Sequence, residues 1–509
     1  MSAGTVSPYR SDLRAGGNEF AQLLHAEWTK FRTVRGWVIG IVVAALMVVL
    51  FAVLTGASSV QHGQGARLAV PFGPGGEPVT DSFYFVHRPL AGNGGITISV
   101  ASLNNTTPGS HLGTVPWAKA GLIITESTRQ GSPYAAIMVT GRHGVRMQYN
   151  YTNDRGGPPG RVSTASPRWL RLARSGDTVT GYDSADGTHW TTVATVHLGG
   201  LRSTVQAGLF VASPPYVQGG GTVPTVATAV FGNLGLQGQW LRGTWIGDQL
   251  GAKSPSFSGY PPPASGALTQ SGGGFTVTGA GDIAPAVRET LAGGGVIGDL
   301  LVGTFAALIA VIVVGTMFIT AEYRQGLIRA TLAASPRRGR VLVAKAIVLG
   351  VVTFTAGLAA AVVAVPFGER LARAKGVYLF PVTPSTELRV EAGTAALLAA
   401  AAVLALAAGA MFRRGAGAVT AVTAAIVLPY LLVSLPFLPA GVAEWLTRVT
   451  PAAAFATQQT LPPYPQVSSV YTSANGYYPL APWAGLAVLC GYAVLALGLA
   501  VVVLRRRDA

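Results

Sequence analysis

The sequence predicts an α-helical membrane bundle of six transmembrane helices, with an antiparallel β-sandwich of the jelly-roll type between the first and second helices. Half of the 509 residues are hydrophobic and only 11% are charged, whereas charged residues make up about 25% of a soluble domain. The apolar residues collect in runs of about twenty, the length of helix that crosses a hydrocarbon core of ~30 Å. Residues 58–290 contain no such run and alternate in short segments broken by Gly, Pro, Asn and Asp, as β-strands and turns do.

The apolar runs predict the transmembrane helices. They lie at 36–57, 297–320, 344–366, 394–412, 416–435 and 482–504. The first run is too long, and too far from residue 1, for a cleaved signal sequence, so we expect a retained anchor. In the N-terminal segment 1–35, apolar residues recur at helical spacing. They predict an amphipathic helix on the membrane surface, or equally a helical extension of the first span: Phe20, Leu23, Leu24, Trp28 and Phe31.

The basic residues beside the spans predict the orientation. Six spans place both termini on one side, and the basic clusters fall on that side: Lys30, Arg32, Arg35, Arg324, Arg329, Arg337, Arg338, Arg340, Lys345, Arg413, Arg414, Arg505, Arg506 and Arg507. Because Lys and Arg are enriched in cytoplasmic loops, we expect the N-terminal segment and the tail 505–509 to be cytoplasmic. The central domain and the loops 367–393 and 436–481 are then extracellular, in a multi-pass protein of the plasma membrane.

The composition also limits the partners. A formal net charge of +16 would suit a nucleic-acid-binding protein. In a membrane protein, however, Lys and Arg beside the spans orient the chain, so we expect a lipid membrane and no nucleic acid as partner. The single cysteine, Cys490, lies in the last apolar run. The β-rich domain therefore cannot form a disulfide and must be stabilised by its own core.

The alternating pattern predicts two hairpins and a further strand, at 136–139, 145–149, 169–173, 178–182 and 190–193. Turn residues separate these segments, as in antiparallel sandwiches and jelly rolls. Residues 251–274 are rich in Pro, Gly and Ser and predict a linker. One further strand is expected at 275–278, before the chain returns to the membrane.

Several segments resemble the concanavalin A-like and laminin-G-like β-sandwich modules: 115–127, 144–146, 174–177, 184–187 and Trp190. The resemblance implies a domain that binds a sugar or a protein, or that has no known ligand. Trp117, Trp169 and Trp190 are candidates to stack on a sugar ring, although a Trp in a sandwich strand more often belongs to the core. The carboxylates of the domain are scattered, whereas a glycosidase needs two of them across one cleft.

The sequence contains no Gly-x-x-x-x-Gly-Lys-Ser/Thr phosphate loop, no metal-ligand spacing and no nucleophile elbow. We therefore expect no catalytic, cofactor-binding or metal-binding residues and no enzyme activity. Charged residues are nearly absent from the predicted spans, which argues against an ion-coupled pump. If the chain transports a substrate, we expect the energy to come from ATP on a partner subunit.

Residues 321–340 are basic and amphipathic and end in a helix stop at Ser335-Pro336. A loop attracted to anionic lipid would have the same composition. The residue order, however, resembles the membrane subunits of type-two ABC exporters. The matching features are Glu322-Tyr323-Arg324, the run 331–338 with Arg337-Arg338, Leu342-x-x-Lys345, the segment 27–33, the Arg413-Arg414 turn and the basic C-terminus.

This resemblance implies a permease that pairs with itself or a sister permease, with an ATPase subunit bound beneath it. The interfacial helix and a cytoplasmic coupling loop at 321–343 would transmit nucleotide-driven motion, through Glu27, Lys30, Arg32, Glu322, Tyr323, Arg324, Arg337 and Arg338. The family's first outer loop is usually short, so the large central domain is a departure that leaves the substrate open. The alternative is a non-transporting receptor or adhesin that binds an envelope glycan through the β-domain.

Overall fold

A computed structural model of the chain describes residues 19–58, 70–106, 115–218, 221–251, 266–291, 294–324, 338–433, 438–469 and 471–507. The helices are α1 (Glu19–Thr33), α2 (Arg35–Ser58), α3 (Ile297–Leu300), α4 (Thr304–Arg324), α5 (Arg338–Ala374), α6 (Pro384–Phe412), α7 (Gly415–Val433), α8 (Ala440–Val449) and α9 (Pro482–Arg507). In this part of the chain six helices are long and apolar enough to cross a membrane, namely α2, α4, α5, α6, α7 and α9. The six predicted spans are thus present as helices.

Three of these helices differ from the predicted bounds. The second span was expected from 297, but the four-residue α3 ends at Leu300 and a turn precedes α4. That turn packs directly on α2, since a Cβ on Gly303 would lie 2.6 Å from the backbone oxygen of Met47. Helix α5 continues past the predicted end at 366, with Glu369 paired to Arg373 at 2.9 Å. Helix α6 begins ten residues before 394, where the Thr383 hydroxyl accepts a hydrogen bond from the Thr386 amide.

The N-terminal helix is separate from the first span, because the chain leaves the helical conformation at Val34. Of the two alternatives that the sequence left open, the structure has a distinct helix. Its packed face keeps Leu24 and Phe31 of the predicted apolar face but also includes the buried Glu27, whereas Trp28 is 43% exposed. The inward side of α1 thus carries a carboxylate, which the hydrophobic pattern alone did not indicate.

Small residues let the central helices approach closely. A Cβ on Gly315 of α4 would lie 2.5 Å from the backbone oxygen of Ala402 in α6, and one on Gly40 of α2 would meet the Val314 side chain. Gly36, one turn before Gly40, has open space around it. Helix α4 therefore lies in the core of the bundle, packed against both α2 and α6.

The central domain is an antiparallel β-sandwich that approaches a barrel. Its strands are β1 (Val79–Asp81), β2 (Tyr84–Thr106), β3 (Lys119–Thr125), β4 (Tyr134–Thr140), β5 (Val145–Tyr149), β6 (Asn153–Gly156), β7 (Arg168–Ser175), β8 (Thr178–Ser184), β9 (Thr191–His197), β10 (Thr204–Ala212), β11 (Tyr216–Gln218), β12 (Gly221–Val223), β13 (Val226–Trp240), β14 (Ile246–Gln249), β15 (Ala267–Ser271), β16 (Gly274–Gly279) and β17 (Ile283–Pro285). The predicted hairpins are β4–β5 and β7–β8, and the predicted strand at 275–278 is β16.

The 23-residue strand β2 connects the two layers of the sandwich. Its first part pairs with β10 and β14, and its second part pairs with β7 and β13. Apolar side chains from both layers enclose the main core. The predicted linker 251–274 is partly wrong, because β15 lies within it and pairs with β16; residues 252–265 lie outside the described residues.

An antiparallel ribbon of β1 and β17, which we call the neck, joins the sandwich to the bundle. Beside it, the Gly295 amide donates to the Tyr378 backbone oxygen, and the Phe380 amide donates to the Gly295 backbone oxygen. The Gln466 side chain donates to the backbone oxygens of Tyr151 and Thr152. The loops after α5 and α8 thus lie at the same end of the bundle as the sandwich. We call this the neck end.

The opposite end of the bundle is basic. Arg413 ends α6 in the left-handed conformation, and its guanidinium lies 5.2 Å from the ring of Tyr323 at the end of α4. A Cβ on Gly339, at the start of α5, would lie 3.8 Å from an Nη atom of Arg505 near the end of α9. Basic residues from distant parts of the sequence therefore meet at one end, which we call the basic end.

Candidate functional site

The candidate site lies at the basic end, where α1, the end of α4 and the start of α5 meet. Glu27 and Lys30 are neighbours on one face of α1, because residues three apart share a helix face. Glu322 lies in the last turn of α4, and Lys345 lies in the second turn of α5. We call these four residues the ion-pair cluster.

The ion-pair cluster alternates positive and negative charges. Lys345 Nζ lies 2.6 Å from Glu27 Oε2 and 2.7 Å from Glu322 Oε1. Lys30 Nζ lies 2.9 Å from Glu27 Oε1 and 3.3 Å from Glu322 Oε1. Each ammonium thus bridges both carboxylates, and two cations and two anions balance with no net charge.

Most of this cluster is shielded from solvent. The side chain of Lys345 is 0% exposed and that of Glu27 1%, whereas that of Lys30 is 39% exposed. An aromatic group closes the apolar side: the Phe318 ring lies 4.4 Å from Lys345 Nζ and packs edge-on against Phe31 and Trp37. Removing one partner from a buried ion pair leaves an uncompensated charge and costs about 3–5 kcal/mol. The four charges therefore depend on one another.

Two further features of the cluster concern the charge of Lys30 and an unpaired oxygen of Glu322. Partial burial alone would lower the pKa of Lys30, but hydrogen bonds and charge from Glu27 and Glu322 outweigh it and raise that pKa, so the ammonium stays charged. Glu322 Oε2 is buried and has no hydrogen-bond partner within the described part of the chain. Residues 325–337, which follow α4, lie outside that part.

The structure brings together three of the predicted coupling residues, Glu27, Lys30 and Glu322. Tyr323 is next to them under Arg413, while Arg32 and Arg324 are exposed. Arg337 lies outside the described residues, as does the side chain of Arg338, the first residue of α5. Sequence reasoning counted Lys345 among the basic residues that set orientation and in the Leu342-x-x-Lys345 match, but did not include it among the coupling residues. Its place in a basic segment beside a span did not reveal that its side chain is buried.

The rings of the three candidate tryptophans of the β-domain each pack against another residue of the domain. Trp117 is buried and stacks on His143, with ring centroids 4.0 Å apart. The Trp190 ring is covered by the Arg171 guanidinium at 4.0 Å. The Trp169 ring lies against Gly187, where a Cβ would approach to 2.9 Å. These contacts place the rings in the packing of the domain and leave less aromatic surface for a sugar.

A second group of buried polar residues lies at the neck. Asp81 Oδ2 accepts hydrogen bonds from the Tyr151 hydroxyl at 2.7 Å and from the Gly131 amide at 2.8 Å. Burial raises the pKa of the Asp81 carboxyl to about 6, although both hydrogen bonds oppose the rise. Nearby, Lys119 Nζ donates to Asp282 Oδ1 at 2.5 Å and to the Ile283 backbone oxygen at 3.0 Å. These contacts attach the neck strands to the sandwich.

Comparisons with known proteins leave the family of this chain open. No family model matches it, and no curated protein matches it. Among solved structures, a scytalido-glutamic peptidase with a transition state analog inhibitor is 7% identical, with a TM-score of 0.26, over 39% of this chain and 98% of that one. A functionally unknown protein from Saccharomyces cerevisiae is 12% identical, with a TM-score of 0.24, over 35% and 85%. TM-scores this low support no argument about fold or activity.

Proposed function

We propose that this chain is the membrane-spanning permease subunit of an ABC exporter, energised by a separate ATPase subunit. The observation that supports it best is the ion-pair cluster. It joins α1, α4 and α5 through Glu27, Glu322 and Lys345 at one end of the bundle. These are the segments that, by resemblance to type-two ABC exporters, contact the ATPase.

Charges buried among membrane-spanning helices are costly and commonly mark functional positions. Here the ion pair with Glu27 of α1 offsets the cost of burying the Lys345 charge, so the offset is lost if α1 moves away. A push on α1 from an ATPase therefore either moves α4 and α5 with it or breaks a buried ion pair. Because α4 packs on both α2 and α6, such a movement reaches the middle of the bundle. This is a physical route by which nucleotide-driven motion could open a path.

Under this proposal the basic end faces the cytoplasm, since Arg340, Arg414, Arg505 and Arg506 collect there. Both ends of the chain then lie in the cytoplasm and the sandwich is extracellular. The permease pairs with a second copy or a sister permease, and ATP is held by the partner ATPase. The sandwich recognises the substrate or gates its release above the neck. The competing receptor or adhesin would need a bare aromatic surface for glycan, and the contacts of Trp117, Trp169 and Trp190 supply less of it.

The first experiment is a pull-down of the tagged chain from gently solubilised native membranes, followed by mass spectrometry. We expect a stoichiometric ATPase subunit that contains a phosphate loop. Its absence, under conditions that preserve a known transporter complex, would contradict the permease proposal and favour the receptor. Binding of the isolated 75–290 segment to an envelope polysaccharide on a glycan array would then support that receptor.

The second experiment tests the coupling loop. Replacing Arg337 and Arg338 with Glu should uncouple ATP hydrolysis from the membrane subunit, because the loop would then carry the wrong charge for its partner. The matched control replaces Arg505 and Arg506 with Glu, an equal change in charge at the same end of the bundle. Coupling that survives the first pair of substitutions, or that is lost equally in the control, argues against this role for the loop.

A further inference from the structure

A cavity of about 200 Å³ opens at the neck end of the bundle. Its walls are the end of α7, the inner face of α8 and the loop that precedes α9. Three tyrosines line it, Tyr471, Tyr477 and Tyr478. The volume is below the 300–1,000 Å³ of sites that enclose a whole drug-sized ligand. The cavity therefore suits a small polar group whose remaining part stays outside.

The interior of the cavity offers an unused hydrogen-bonding group. Ser473 lines the wall and is 3% exposed. Its hydroxyl oxygen has no hydrogen-bond partner in the described part of the chain. A buried hydroxyl without a partner costs free energy, so a ligand oxygen at this position would be stabilising. Thr447, also in the wall, instead donates to the backbone of its own helix.

The mouth of the cavity carries one charge of each sign. Glu444 and Arg448 lie one turn apart on α8, both are exposed, and both line the cavity. Within the described residues neither forms an ion pair, unlike Glu369 and Arg373, which have the same spacing on α5. A separated pair of opposite charges is the complement of a headgroup that holds a phosphate beside an ammonium.

The surroundings place this mouth at a membrane surface. On the other side of α8, Val442 and Trp445 are exposed, and Trp483 is exposed at the start of α9. Tryptophan is enriched at the level of lipid headgroups, where one side of the ring is apolar and the other is wet. Leu428 and Leu431 of α7 are exposed nearby along the span. Acyl chains could lie along that surface while a headgroup enters the cavity.

We propose that this cavity binds the headgroup of a zwitterionic phospholipid from the surrounding bilayer. Arg448 pairs with the phosphate, Glu444 pairs with the ammonium, and Ser473 donates to a headgroup oxygen. A net anionic headgroup has no group for Glu444 to attract, and its charge is repelled there. The site thus selects phosphatidylethanolamine over phosphatidylglycerol. This inference does not depend on transport or on an ATPase partner.

The test uses the full chain in nanodiscs of equal amounts of phosphatidylethanolamine and phosphatidylglycerol with the same acyl chains. Lipids retained after mild detergent release are counted by native mass spectrometry. We expect one phosphatidylethanolamine to be retained about tenfold over phosphatidylglycerol, which corresponds to about 1.4 kcal/mol. Equal retention of the two lipids by the unaltered chain would overturn the proposal.

Substitutions of Glu444 and Arg448 should have different effects on lipid retention. Glu444→Gln should abolish or reverse the preference, because Arg448 still binds phosphate. Arg448→Gln should remove retention of both lipids. The control is Glu369→Gln with Arg373→Gln, whose residues have the same spacing but do not line the cavity, and it should keep the original preference. The site is contradicted if the control loses the preference, or if Glu444→Gln keeps it. Equal melting temperatures show that each variant is folded.

Discussion

Lys345 Nζ lies 2.6 Å from Glu27 Oε2, although 318 residues separate the two in sequence. Lys345 also pairs with Glu322, so one ammonium joins the N-terminal helix to the second and third spans. The entire β-domain lies between Glu27 and Glu322 in sequence. The cluster therefore forms only when the helices before and after this domain in the sequence have assembled into one bundle.

The first prediction concerns this ammonium. Lys345→Met should destabilise the protein by about 3–5 kcal/mol, because two buried carboxylates lose their shared partner. Adding Glu322→Gln should restore part of the loss, since one carboxylate then remains for Lys30. The measurement is unfolding in detergent, with Lys375→Met at an exposed position as control. A Lys345→Met variant as stable as the control would show that the cluster carries no stabilising interaction.

The elements that sequence reasoning found are those whose pattern is local. Runs of about twenty apolar residues marked the six helices, and alternation marked β4, β5, β7 and β8. Their ends were harder to predict, because Glu369 and Arg373 continue α5 beyond its apolar run by pairing with each other. Strand β15 was missed because Gly and Ser around it are typical of linkers, although Gly272 and Gly273 form the two-residue turn of its hairpin with β16.

The candidate site could be predicted only in part. Three of its four charges were singled out by their order in the sequence, but their role as partners of one another was not. Lys345 looks like any lysine beside a span, and a basic residue there is normally explained by orientation. The local pattern could not predict that Glu27 is buried, since its partner is a lysine 318 residues away.

The second prediction tests the packing of α4 against α6. Gly315→Ala should destabilise the bundle by about 1–3 kcal/mol, because the new methyl group meets the backbone oxygen of Ala402. The higher helix propensity of Ala opposes this by up to about 1 kcal/mol. Gly498→Ala is the matched control, since Gly498 in α9 has open space around it. Thermal unfolding of both variants should therefore separate them, and equal stability would contradict the close approach.

The third prediction concerns the contact between the sandwich and the bundle. Gln466→Ala removes the donor to the backbone oxygens of Tyr151 and Thr152. Leaving the buried Tyr151 oxygen unpaired costs about 1–3 kcal/mol, so the segment around residue 151 should loosen. Hydrogen–deuterium exchange of residues 148–155 should become faster. Gln458→Ala, which removes hydrogen bonds inside the bundle, should leave that peptide unchanged. The same rate for all three proteins would mean that this contact does not hold the domains together.

The last prediction is a pH dependence at the neck. The pKa of Asp81 is raised from 3.8 to about 6 in the folded chain, so the folded state binds its proton more tightly than the unfolded state. The protonated carboxyl thus stabilises the fold fully below pH 3.8, and this contribution is lost as the pH rises through 6. A shift of about two units corresponds to about 3 kcal/mol. Between pH 7 and pH 4, the neck and the Gly131 amide should therefore become more protected.

Hydrogen–deuterium exchange of the full chain, corrected for the intrinsic pH dependence, measures this protection. Asp81→Asn keeps an oxygen acceptor for Tyr151 and Gly131 but cannot titrate, so its protection should be independent of pH across the same range. Tyr151→Phe removes a hydrogen bond that lowers the pKa of Asp81. The rise in protection should then begin at a higher pH than in the unaltered chain. If the pH profiles of protection coincide for Asp81→Asn and the unaltered protein, another group controls the neck. If Tyr151→Phe moves the midpoint of the protection profile to a higher pH, the buried Asp81 carboxyl is the group that titrates.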